Sequence, residues 1–137
     1  MSATTMSLID RIGGTWSERA GAAWLRVRLE DVRPAARIML EGGARLATIL
    51  ARPPAGAEGV RLSWHFAIGG AILALEIALS EGQAAPSIAD IYPGADWAER
   101  ETRDYYAVSF AGREATLPLV LGPGDDPGIL LPKGDRS

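Results

Sequence analysis

Three carboxylates lie close together late in the chain: Glu99, Glu101 and Asp104. Paired carboxylates are raw material for general acid–base chemistry, one holding a proton and the other accepting one. On a helix, Glu101 and Asp104 share a face. Arginines alternate with these acids, however. Glu99 with Arg103, and Arg100 with Asp104, are acid–base pairs at four-residue spacing, the ordinary pattern of a solvated helix. A second group is His65 with Ser63 and Glu76, which paired strands would carry on one face. Ser63 and His65 are two residues apart on one strand, about 7 Å at the backbone, and no nucleophile elbow surrounds the serine. A polar outer sheet face is the expectation there, not a hydrolase triad. Gly13-Gly14-Thr15 and Gly69-Gly70 lack the spacing and the following Lys-Ser/Thr of a phosphate loop. Trp16, Trp24, Trp64 and Trp97 are residues of a core or an interface. No self-contained catalytic site emerges.

Composition excludes further chemistry. The 137 residues contain no cysteine and one histidine. Disulfides, thiolate-held iron–sulfur clusters and Cys/His zinc sites are therefore ruled out. The expectation is no metal and no bound cofactor. A net charge of -3, with no basic cluster, argues against nucleic acid. The N-terminus lacks the basic-then-apolar layout of a signal peptide. No apolar run reaches the roughly 18 residues of a membrane span. The expected location is cytoplasmic.

Several elements must position these residues. Leu8, Ile9 and Ile12 mark a short helix over Met6–Ile12, closed by Gly13 and Gly14. Leu25, Val27 and Leu29 alternate with Arg26, Arg28 and Glu30, which predicts a half-buried strand. Pro34 opens a second helix, with Ala35, Ile38 and Met39 inward and Gly42-Gly43 as the stop. Leu46–Ala51 reads as another strand, followed by a loop at Pro53, Pro54, Gly56 and Gly59. The clearest pattern is Val60–Ile68 and Ala71–Leu79 about Gly69-Gly70. It predicts a tight hairpin with Ile68 opposite Ala71, Phe66 opposite Leu73, Trp64 opposite Leu75 and Leu62 opposite Ile77. Residues 86–97 form a loop with one helical turn near Ser87. Asp96 caps a last helix to about Tyr106, with Glu99 completing a capping box. The expected fold is a two-layer α+β domain over residues 1–112, helices on a mixed, mostly antiparallel sheet of about four strands. A Pro- and Gly-rich extended tail over 113–137 follows, to be ordered by a partner.

Residues 86–110 read PSIADIYPGADWAERETRDYYAVSF. This segment resembles the signature of the C (thirty-kilodalton) subunit family of respiratory complex I and of related energy-converting [NiFe] hydrogenases. The resemblance rests on Pro86, Ser87, Tyr92, Pro93, Gly94, Ala95, Trp97, Glu99, Arg100, Glu101, Asp104 and Tyr105. It extends in outline over residues 20–112. The family usually has glycine where Ala107 stands. Its longer basic tail survives here only in Asp125-Asp126 and Leu130-Leu131-Pro132-Lys133. These departures suit a CO-induced or formate-linked hydrogenase relative at least as well as complex I.

The resemblance implies a non-catalytic, cofactor-free scaffold subunit of a membrane-associated redox complex. Its partners would be the large quinone-site or [NiFe]-type subunit and a neighbouring iron–sulfur subunit. Trp97, Glu99, Arg100, Glu101, Asp104 and Tyr105 are the expected partner interface, with Trp97 and Tyr105 anchoring the helix to its own domain. The competing readings are a free-standing carboxylate enzyme and an interaction module unrelated to redox chemistry.

Overall fold

The computed structural model describes residues 2–52, 59–80 and 82–112. The loop at Pro53, Pro54 and Gly56 and the tail over 113–137 lie outside the described residues. The first helix, α1, spans Ala3–Ile12. It begins earlier than the apolar pattern suggested because Ser2 caps it, its hydroxyl accepting from the Thr5 N–H at 3.2 Å. It ends at Gly13, at a positive φ of 77°.

Two strands follow, β1 (Ser17–Arg19) and β2 (Ala22–Arg26), paired antiparallel. Sequence reading missed β1. Its three residues are all exposed and carry no apolar alternation. Its turn sets Ala20 at φ 53°, where glycine is the usual signal. The strand expected through Leu25–Glu30 stops at Arg26, and Leu29 and Glu30 instead open α2 (Leu29–Glu41). Two periodicities compete over this stretch. Helical spacing wins because Leu29, Val32, Ala36 and Met39 then all meet the core. Glu30 and Asp31 favour the positive end of the helix, and Arg28 just ahead pairs with both, at 3.3 and 3.1 Å.

Pro34 therefore sits inside α2 rather than at its start. Proline there removes the bond to the Glu30 carbonyl, but both residues face solvent, where water can replace it. The helix stops at Gly42. A Cβ at that position would lie 2.1 Å from Leu8 Cδ2, so any other residue would force the buried Leu8 side chain to move.

Strands β3 (Arg45–Arg52), β4 (Val60–Ile68) and β5 (Ala71–Leu79) complete the sheet, in the order β1-β2-β5-β4-β3. The β4–β5 hairpin has the register that loop chemistry and hydrophobic alternation demanded, from Ile68 opposite Ala71 to Leu62 opposite Ile77. Gly69 and Gly70 turn it at φ 54° and 79°. The β2–β5 pair is parallel and the rest antiparallel, so the sheet is mixed and has five strands rather than four.

One face of the sheet carries Leu62, Trp64, Phe66, Leu73, Leu75 and Ile77. Together with Leu8, Val32 and Met39 of the helices and Ile88 and Tyr92 of the loop after β5, they form the core. On the other face Trp24 and Ala74 pack with Ala22 and Ile72. The last helix, α3 (Ala95–Tyr106), lies against β3. It ends at Ala107, held at φ 57° while its N–H bonds the Arg103 carbonyl. A left-handed cap of this kind strains any residue with a Cβ, so glycine would sit here at lower cost than Ala107.

Phe66→Ala should lower stability by about 3–5 kcal/mol, because the ring is fully buried in the hairpin core; an unchanged denaturant midpoint would contradict this packing. Ala107→Gly should raise stability by about 1 kcal/mol in the same measurement, by relieving the left-handed strain.

Candidate docking site on the third helix

Pro93 and Gly94 lead into α3, and Gly94 rather than Asp96 is the N-cap, with no side-chain cap bond. The expected capping box does not form. The Ala95 and Asp96 N–H groups are already taken by the Tyr92 and Pro93 carbonyls, at 2.9 and 3.1 Å. Asp96 instead sits in the first turn, 3.7 Å from the Arg100 guanidinium.

Glu99 is turned away from the helix end and into the protein. The Ser87 hydroxyl donates to one of its oxygens at 2.6 Å, and the Ile88 N–H donates to the other at 2.9 Å. Only 1% of the residue is exposed. Burial pushes its pKa up, against the pull of these two donors. A second anchor holds the same loop. Arg33 of α2 grips Asp90 with both nitrogens, at 2.7 and 2.8 Å, and donates to the Ser87 carbonyl at 2.6 Å. That guanidinium holds the Asp90 carboxyl down at about 2. Ile88 to Tyr92 makes the expected helical turn, closed by the Tyr92 N–H on the Ile88 carbonyl at 2.8 Å. The Tyr92 ring packs on Phe66, and its hydroxyl donates to the Ala44 carbonyl at 2.8 Å. Sequence reading gave Arg33 and Asp90 no role. They stand 57 residues apart, and no local pattern links them.

The six residues expected at an interface divide into three sets. Trp97, 61% exposed, and Glu101 face solvent; Arg100 and Tyr105 are partly covered. Glu99 and Asp104 are buried, and Arg103 donates to Asp104 at 3.3 Å. Trp97 therefore does not anchor α3 to its domain, and Asp104 is not left on the surface. Helical spacing explains Trp97. Ala95, Ala98, Glu99, Thr102 and Tyr106 recur at three- and four-residue steps toward the core, and Trp97 lies on the opposite side.

The His65 group also differs from expectation. The Ser63 hydroxyl lies 2.9 Å from His65 Nε2, because the two side chains lean together across the backbone spacing. Ser63 and Glu76 are buried, so this face is polar without being solvated. Trp24 meets the imidazole edge-on at 5.1 Å, and Glu76 bonds Arg19 at 3.4 Å. Burial, then Arg52, lowers the His65 pKa against the opposing pull of Glu76. A serine only 6% exposed in mid-strand offers no path for a substrate. Among the described residues no group of three or more His, Asp or Glu could hold a metal. No helix there is long and apolar enough to cross a membrane.

Glu99 makes a stability prediction with a definite sign. A carboxyl whose folded pKa is raised stabilises the fold below its unfolded value, and that contribution is lost as pH rises through the folded value. Glu99→Gln keeps an acceptor for Ile88 and gains a donor for Ser87. It should therefore flatten the loss of stability between about pH 4, near the ordinary carboxylate value, and neutral pH. Glu99→Ala, which strands the Ile88 N–H, should cost about 1–3 kcal/mol at either pH. Denaturation of the three proteins at both pH values decides; identical pH profiles for wild type and Glu99→Gln would refute it.

The sequence profile of the respiratory-chain NADH dehydrogenase 30 Kd subunit matches residues 25–128. The NADH-quinone oxidoreductase C subunit of Rhizobium rhizogenes is 53% identical over 38 residues, which are 28% of this chain and 19% of that protein. The corresponding C subunit of Rhodopseudomonas palustris is 38% identical over 75 residues, 53% of this chain and 38% of that protein. The matched stretches thus span well under half the length of these relatives. The fold is similar to a chain in the structure of the membrane-bound sulfane sulfur reductase, an archaeal respiratory membrane complex. The TM-score is 0.74 at 23% identity, covering 90% of this chain and 76% of that one. With its profile match running from β2 through α3 and beyond, the chain belongs to the family of the respiratory-chain NADH dehydrogenase 30 Kd subunit.

Proposed function

We propose that this chain is a non-catalytic subunit of a membrane-associated redox complex, docked on the large quinone-site or [NiFe]-type subunit through the outer side of α3. The observation that carries the reading is the exposure of Trp97, 61%, on a helix whose inner side is fixed by a buried carboxylate. A tryptophan in water on a rigid support is the usual profile of an interface anchor. Glu101 lies one turn further along, with Arg100 and Tyr105 beside it. Family membership supplies the kind of complex, and the relatives above are C subunits of NADH-quinone oxidoreductase. A hydrogenase-type parent is the second reading; the fold by itself, shared with a chain of an archaeal respiratory membrane complex, does not choose between the two. In either complex the neighbouring subunit would be an iron–sulfur protein, and the chain would sit peripherally on the cytoplasmic side.

Catalysis by the carboxylates finds no support in their placement. Glu99 is committed to Ser87 and Ile88, Asp104 is buried beside Arg103, and Glu101 stands exposed.

Co-expression with the large subunit tests the docking surface. Trp97→Ala and Glu101→Ala should each reduce co-purification by about tenfold or more, corresponding to at least about 1.4 kcal/mol, while leaving the melting temperature of the isolated chain unchanged. Glu99→Gln should co-purify as wild type. If Trp97→Ala and Glu101→Ala both co-purify normally, the contact lies elsewhere on the molecule.

A further inference from the structure

Strand β3 closes one side of the sheet and pairs only with β4. Apart from a 3.4 Å contact between the Thr48 hydroxyl and the Ile49 carbonyl, its residues make no hydrogen bond beyond that ladder. Its outer row of backbone N–H and C=O groups therefore has no partner among the described residues. Natural sheets blunt such an edge by shortness, charge, proline, a bulge or a cover. At the opposite edge β1 is only three residues long. β3 has eight residues and no proline, and its charges stand only at the two ends, Arg45 and Arg52. The bulge between Leu46 and Thr48 disturbs the first part. From Thr48 to Arg52 the strand runs in unbroken register with β4. α3 packs against β3, Ile49 and Ala51 turn toward the core, and Leu50 between them is 49% exposed.

We propose that β3 accepts an extended segment of a different protein, carrying carboxylates near its ends, which joins the sheet as a further strand. Backbone pairing supplies the affinity in such strand addition, and side chains select the partner. Arg45 and Arg52 are exposed and in no ion pair among the described residues. They stand roughly 23 Å apart along an extended strand, and so mark the two ends of the footprint. Leu50 offers an apolar contact between them. The same charges argue against a second copy of this chain. Two β3 strands paired antiparallel about their centre would set arginine against arginine at both ends, and like charges directly opposite are destabilising. The inference rests on the strand edge alone and is independent of the α3 docking surface.

The test uses the full chain, isotopically labelled, and two synthetic peptides of alternating valine and threonine. One has a glutamate at each end and the other a lysine. The glutamate-ended peptide should shift the amide signals of Thr48–Arg52 and slow their hydrogen exchange. The lysine-ended peptide should bind at least about tenfold more weakly. Arg45→Glu combined with Arg52→Glu should reverse the preference, a gain that an unfolded variant could not show. Failure of both peptides to bind, equal binding of the two, or shifts centred away from β3 would overturn the proposal. So would protection of β3 that grows with protein concentration in the absence of peptide, since a second copy would then be the occupant.

Discussion

The Glu99 carboxylate is the constraint on which the placement of α3 depends. The inner side of this helix is built from Ala95, Ala98 and Thr102, with Tyr106 at its end, so it has little apolar area with which to hold its position. Alanines bury few methylene groups, and burial scales with area. What fixes the helix is polar: two short hydrogen bonds from Ser87 and Ile88 to a carboxylate sealed from water. Hydrogen bonds to a charged group are worth roughly twice neutral ones, and they fix direction as well as distance. Burial of the charge opposes this gain, which is why the Glu99 pKa rises despite two donors. The Arg33–Asp90 pair at the far side of the same loop is largely exposed, and its energetic contribution is correspondingly small. Its geometric role is larger, since Arg33 also holds the Ser87 carbonyl and so orients the residue that bonds Glu99.

The sequence was most legible where two independent signals agreed. In the β4–β5 hairpin, Gly69-Gly70 and the alternation of Trp64, Phe66, Leu73 and Leu75 each select the same register. It was least legible where one segment satisfied two periodicities. Leu25 to Glu30 alternates like a strand, and only the tertiary fit of Leu29 and Val32 to the core resolves it as the start of α2. Local capping rules failed at α3 because backbone carbonyls of Tyr92 and Pro93 had already met the need that a side-chain cap would serve. Glu99 was visible as part of a motif and its partner Ser87 as part of the same segment. That one bonds the other follows only from the path of the chain between them.

The two faces of the sheet solve different problems. The inner face is apolar and covered by helices. The outer face buries Ser63 and Glu76 without a covering helix among the described residues. It does so by mutual packing of Arg19 over the Trp24 ring, Trp24 against His65, and His65 on Ser63. Burial first, and then the charge of Arg52, disfavours a protonated imidazole there, against the pull of Glu76. Serine and histidine at hydrogen-bond distance thus arise from sheet packing. Proximity of reactive residue types is a weak guide to chemistry when neither has access to a substrate.

The same logic separates stability from recognition in this molecule. Groups that hold the fold, Glu99, Arg33 and Tyr92, bond partners inside the chain and point inward or along the surface. Trp97 and Leu50 do neither. An exposed indole and an exposed leucine beside an open strand edge contribute nothing to this chain's own core, and each carries a solubility cost in a free monomer. Their retention on otherwise well-packed elements is intelligible if the chain normally works as part of an assembly. The rigid support then matters as much as the anchor itself. A tryptophan on a helix locked at Glu99 loses less freedom on binding than one on a loose segment, so more of its contact energy survives as affinity.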